Sequence, residues 1–192
     1  MMKKLANSVR IISGQLRRRK ISFPASDAIR PTGDRVRETL FNWLQNEVAD
    51  SYCLDLFAGS GILGLEALSR GAKEAVFIER DRQTAEALQE NLTLLNLTQG
   101  QVFQANALDW LASGKTRPQF NIVFLDPPFA EELLASSCTA LEQSSLLAEG
   151  CCFYVESATA ISEIEIPQNW VQEKDKKAGN VHFYLFRRKE AN

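Results

Sequence analysis

Residues 54–64 read LDLFAGSGILG: a short apolar run interrupted by an acid, then glycines at 59, 61 and 64. YCLDLF (52–57) reads as a strand, and the stretch from Gly61 to Arg70 as a helix. The glycines between them let the backbone turn sharply and approach a ligand closely. The same alternation then repeats. AVFIE (75–79) is a second strand, followed by a helix from Arg82 to about Leu95. QVFQA (101–105), NIVFLD (121–126) and CCFYVE (151–156) are three more strands, with a helical stretch from Glu131 to about Leu141. Buried strands without polar alternation predict an α/β fold, a mostly parallel sheet with helices on both faces. The end of the chain departs from this pattern. WVQEKDKKAGNVHFYLFRR (170–188) has two strand-like halves around Lys176–Asn180, which predicts a hairpin.

At 192 residues, 45% hydrophobic and 24% charged, the chain is long enough for one domain with a sizeable core. No apolar run reaches the roughly 18 residues needed to cross a bilayer, and the start lacks the features of a signal peptide. A cytoplasmic, monomeric protein is expected. The cysteines (53, 138, 151 and 152) show no CxxC spacing, which points to buried free thiols rather than zinc. His182 is the only histidine, so chemistry relying on several is excluded, and no metal is expected.

Charge is unevenly spread. Residues 1–40 carry ten Lys/Arg against three Asp/Glu, a net +7, which within a total of −2 leaves −9 on the remaining 152. A basic arm on an acidic body suits a polyanionic partner; the alternative is a solvated tail. After the arm, DRVRETLFNWLQNEV (34–48) puts Val36, Leu40, Phe41, Trp43 and Leu44 at helical spacing, with Asp34 as the expected N-cap.

Sheets of this kind bind ligands beyond the carboxyl ends of their strands, and three segments fall there. In the first, a dinucleotide would set its pyrophosphate against the helix start. Asp55, four residues before Gly59, would repel it but suits an ammonium, as in S-adenosylmethionine. Phe57, Ala58, Gly59, Ser60, Gly61 and Gly64 are then the cofactor-binding loop. In the second, FIERD (77–81), Glu79 can accept from both ribose hydroxyls of either cofactor, with Arg80 beside it, while Asp81 reads as a helix cap. Further on, Asn106 and Asp109 fall near an adenine, with Ala107 also assigned to the cofactor site, although Asn106 equally suits a cap. The third, FLDPPF (124–129), ends a buried strand in an acid, two prolines and a ring. An exocyclic nucleobase amine is a poor nucleophile because its lone pair is delocalised. The Asp126 carboxylate and the Pro127 carbonyl, fixed by Pro128, can accept its hydrogens, and Phe129 can stack on a flipped base. The alternative is a plain turn with Phe129 in the core.

LDLFAGSGILGLEAL, FIERD and LDPPF together resemble class I S-adenosylmethionine-dependent methyltransferases acting on amino groups. VRIISGQLRRRK, RPTGDRVRETLFNWL and the closing GNVHFYLFRR are similar to the RsmD-like family of 16S ribosomal RNA guanine-N2 methyltransferases. The resemblance covers nearly the whole chain. It implies a Rossmann-like seven-stranded sheet with an antiparallel last strand, and a guanine of 16S rRNA in the small ribosomal subunit as target. It divides the chain into an RNA-binding hairpin (1–34) and a catalytic domain (35–192). Arg10, Arg17, Arg18, Arg19, Lys20, Arg30, Arg35 and Arg37 become the expected RNA contacts. Rival readings are a DNA adenine-N6 or protein-glutamine methyltransferase, a dehydrogenase, or a non-catalytic rRNA-binding assembly factor.

Overall fold

The chain opens with two short strands, β1 (Asn7–Arg10) and β2 (Lys20–Phe23), and helix α1 (Asp34–Trp43). Alternation follows: β3 (Tyr52–Asp55), α2 (Ile62–Ser69), β4 (Glu74–Glu79), α3 (Arg82–Leu94), β5 (Gly100–Gln104), α4 (Ala107–Ala112), β6 (Phe120–Leu125), α5 (Leu133–Gln143) and β7 (Leu147–Ser157). Strands β8 (Trp170–Ala178) and β9 (Val181–Arg188) close it. This computed structural model describes residues 7–25, 31–113, 118–128 and 133–189. Arg30, Phe129 and the helix start expected at Glu131 lie outside the described residues.

The main sheet has seven strands in the order β5-β4-β3-β6-β7-β9-β8. Strands β3 to β7 pair in parallel, and β9 runs antiparallel between β7 and β8. The chain steps outward from β3 to β5, then returns to lay β6 on the other side of β3. The loops leaving β3 and β6 therefore part in opposite directions, and a crevice opens between them.

Alternate residues of each strand feed two apolar layers. Cys53, Phe77, Phe124 and Tyr154 pack on the face covered by α1, α2 and α3. Leu54, Val76, Val123 and Phe153 face α4 and α5. Every residue of α2 is buried, because the β1–β2 hairpin covers the side that the sheet leaves open. Ile11 and Ile21 of that hairpin are fully buried in the first layer. The chain passes so close to α2 at Gly14 (φ +80°) that a Cβ there would sit 1.9 Å from the Ser69 carbonyl oxygen. Residues 7–23 of the basic segment thus form a packed hairpin rather than a tail.

Two local expectations need correction. Gly33, not Asp34, occupies the N-cap of α1, and Asp34 takes the first helical position because its carboxylate is drawn to Arg37. The helix also stops at Trp43, short of residue 48. The cysteines at 53, 138, 151 and 152 are free and buried. Among the described residues, no helix is long and apolar enough to cross a membrane.

Candidate active site

The parallel strands deliver acids to one end of the sheet. Asp55 is the last residue of β3 and Glu79 the last of β4; Asp126 immediately follows β6, and Glu156 lies near the end of β7. All four line a single cavity of about 670 Å³. Phe57, Ala58, Gly59 and Ser60 line it too, with Arg80, Asn106, Ala107, Pro127 and Pro128. Thr32 enters from the segment before α1, and its hydroxyl lies 3.5 Å from the Asp126 carboxylate, to which it donates.

Two glycines expected to touch a cofactor do not line the cavity. Gly61 caps α2 at φ +75°, a conformation that favours glycine. Gly64 lets α2 sit directly on the sheet, since a Cβ there would come within 2.3 Å of the Phe77 ring. Their work is to shape the loop. The Gly64 N–H donates to Asp55 at 3.1 Å, and the N–H groups of Gly59 and Asp81 donate to Glu79, both at 2.8 Å. A carboxylate has about four acceptor sites, so Glu79 keeps capacity toward the cavity. Asp81 caps α3 through the Thr84 N–H. Asn106 caps α4, accepting from Leu108 and Asp109, which commits its carbonyl and leaves the amide N–H₂ for any ring edge.

With Asp81 at its rim, five acids against the single cation Arg80, among the described residues, line the cavity and favour positive charge in it. Burial, opposed by the Gly64 N–H and reinforced by the Glu79 charge, pushes the Asp55 carboxyl up to about 7. Burial, then the charges of Glu156 and Asp55, hold Asp126 well above the usual carboxylate range. Burial also raises Glu79 and Glu156. An acid raised in the folded state binds more protons there than when unfolded. Its contribution to stability is therefore lost as pH rises from its ordinary value of 3.8 toward about 7. The thermal midpoint of the ligand-free protein should accordingly decline from about pH 5 to pH 7. Asp55→Asn should flatten that decline; an unchanged slope in the variant would refute the Asp55 assignment.

The basic hairpin is a mixed case. Arg10, Arg17, Arg18, Arg19, Lys20 and Arg35 are exposed. Arg37 corrects the expectation, because it is fully buried and unavailable to RNA. Its guanidinium donates to the Thr32 carbonyl at 2.9 Å, the Arg10 carbonyl at 3.0 Å and Glu66 at 2.6 Å, and pairs with Asp34. Glu66 also accepts from the Ile12 N–H at 2.5 Å, so one buried ion pair ties the hairpin, α1 and α2 together. A signal was present: Glu66 sits alone inside the apolar ILGLEALS and needs a cation. Sequence reading also missed Glu156 and Thr32. Glu156 ends an apolar run, CCFYVE, just as Glu79 and Asp126 end theirs.

A doubly wound sheet with one reversed strand, a glycine loop after β3 and Asp-Pro-Pro after β6 define a Rossmann-like fold of the class I methyltransferase type. Comparison with known proteins narrows this. The family described as conserved hypothetical protein 95 matches residues 9–187. Ribosomal RNA small subunit methyltransferase D of Escherichia coli is 46% identical over 183 residues, 95% of this chain and 91% of that protein. Its namesake in Haemophilus influenzae is 43% identical over 180 residues, 93% of each. The solved structure of yhhF from Escherichia coli shares 43% identity at a TM-score of 0.87, covering 95% of this chain and 99% of that one. The chain belongs to the conserved hypothetical protein 95 family, the RsmD-like family that its sequence resembles.

Proposed function

We propose that this protein transfers a methyl group from S-adenosylmethionine to the N2 amine of a guanine in 16S rRNA, within the small ribosomal subunit. The observation that carries the reading is Asp126-Pro127-Pro128 opening onto the same cavity as the glycine loop and Glu79. The names of the relatives support the ribosomal RNA substrate. The acids of the cavity suit a cationic donor and disfavour a pyrophosphate, which argues against the dehydrogenase reading.

When bound, the donor supplies a methyl group already activated on a sulfonium. Asp55 and Glu79 would hold its ammonium and ribose ends, with the residue 57–60 loop lining its site. The Asp126 carboxylate and the Pro127 carbonyl accept hydrogens from the guanine amine, localising its lone pair toward the methyl. Phe129 is assigned the stacking partner of the flipped base, worth about 1–3 kcal/mol. Positioning supplies most of the acceleration. Identifying the methylated nucleoside or amino acid after transfer to RNA, DNA or protein tests the reading. N2-methylguanosine is expected, whereas N6-methyladenine in DNA or methylglutamine in protein would shift it to a rival.

Glu79→Ala should weaken donor binding by about 1.5–3 kcal/mol, since its hydrogen bonds to a charged acceptor disappear. Isothermal titration measures this; an unchanged dissociation constant would remove Glu79 from the ribose site. The exposed arginines of the hairpin are proposed to grip RNA phosphates, which the acidic body would repel. Changing Arg17, Arg18 and Arg19 to Ala should weaken binding to small subunits and lower the log–log salt slope by roughly 0.7 for each phosphate no longer neutralised. Donor binding should survive. Equal slopes and affinities in wild type and variant would make these arginines a solvated face.

A further inference from the structure

One buried acid of the cavity has no part in the steps above. Glu156 stands beside Asp126: the parallel register pairs Leu125 with Val155, so the next residues, Asp126 and Glu156, are level. Only 6% of Glu156 is exposed, and it lines the cavity with Asp126 and Thr32. Its Oε1 accepts from the Tyr154 hydroxyl at 2.7 Å. The Thr32 hydroxyl lies within reach of both Glu156 and Asp126, but a hydroxyl carries one proton and cannot serve both at once. Among the described residues, the two carboxyls are therefore short of donors on the side that faces the cavity. Burying an acid without its full set of donors costs free energy, and a glutamine would satisfy Tyr154 as well. Both carboxyls shift upward because of burial, and Asp126 also because of the Glu156 charge. A ligand edge with two adjacent donors would complete the pair.

Guanine presents that edge, with N1–H next to the N2 amine; adenine presents an N1 lone pair instead. We propose that Glu156 is the residue that selects guanine, accepting N1–H while Asp126 accepts from N2. This rests on the function proposed above and deepens it by naming the group that reads the base.

The test uses 2-aminopurine, which keeps the N2 amine but has a lone pair at N1. Small subunits are reconstituted with either guanine or 2-aminopurine at the methylated position, mapped beforehand with wild-type protein. Wild type should favour guanine in kcat/KM by about 10- to 100-fold, the size of a good bidentate discrimination. Glu156→Gln should lose a similar factor on guanine and bring the two bases near parity, because its amide can donate to the lone pair. Its thermal midpoint should equal or exceed that of wild type, and its donor affinity should match. A variant that keeps the wild-type preference would overturn the assignment. Should the variant fail to fold, a wild-type protein that methylates both bases equally would overturn it as well. A wild type that methylates no guanine would defeat the underlying function too, so the two failures are distinguishable.

Discussion

Asp126→Ala is expected to slow methyl transfer by about 100- to 10,000-fold, the usual contribution of a well-placed proton acceptor, while leaving donor affinity nearly unchanged. The expectation follows from position. Asp126 follows the last residue of β6, beside the β3–β6 switch point, with Pro127 and Pro128 fixing the chain beyond it. The donor is instead proposed to be held by the β3 loop and by Glu79 at the end of β4, which line the same cavity. Asp126→Asn should fall less, because its amide carbonyl keeps one acceptor. Single-turnover transfer and isothermal titration on the same preparations separate the two effects. Near-normal turnover in the alanine variant would sink the role given to this carboxylate.

Glu66→Ala should cost about 3–5 kcal/mol of stability, the usual penalty for stranding a buried charge. Both Arg37 and Glu66 have no exposed side-chain surface, and Glu66 also holds the Ile12 N–H. Removing it leaves the buried guanidinium with only the exposed Asp34 as acidic partner and takes away one of the bonds, beside those of Ser69, that pin the hairpin to α2. The double change Arg37→Met with Glu66→Leu should lose much less, because matched apolar residues can replace a buried pair at little cost. Urea unfolding of the three proteins decides this. A single-variant loss under about 1 kcal/mol would mean that water reaches the pair and the exposed-pair scale applies.

How far the sequence could be read depends on how local each signal is. The parallel strands and their helices were legible because apolar runs and helical spacing are written in contiguous residues, as in AVFIE before Arg82–Leu94. Asp81 was legible as a cap because capping spans three residues, to Thr84. The acids at strand ends were legible wherever a recognisable loop followed. Glu156 lacks such a loop, and its neighbour Asp126 lies 30 positions earlier in the chain. Arg37 was misread because its partner Glu66 is 29 residues away. In composition a buried arginine looks like any other in a basic run. Gly61 and Gly64 fit a binding motif, yet the φ angle of the first and the close approach of the second to Phe77 show that they set the geometry of the loop.

The most direct measurement is methyl transfer from labelled S-adenosylmethionine to three acceptors: unmodified 30S particles, naked 16S RNA and DNA, followed by digestion to nucleosides. The expected result is label in N2-methylguanosine from the 30S particles, absent with Asp126→Ala. Label in a different nucleoside, or binding to 30S particles with no transfer by wild-type protein, would contradict it.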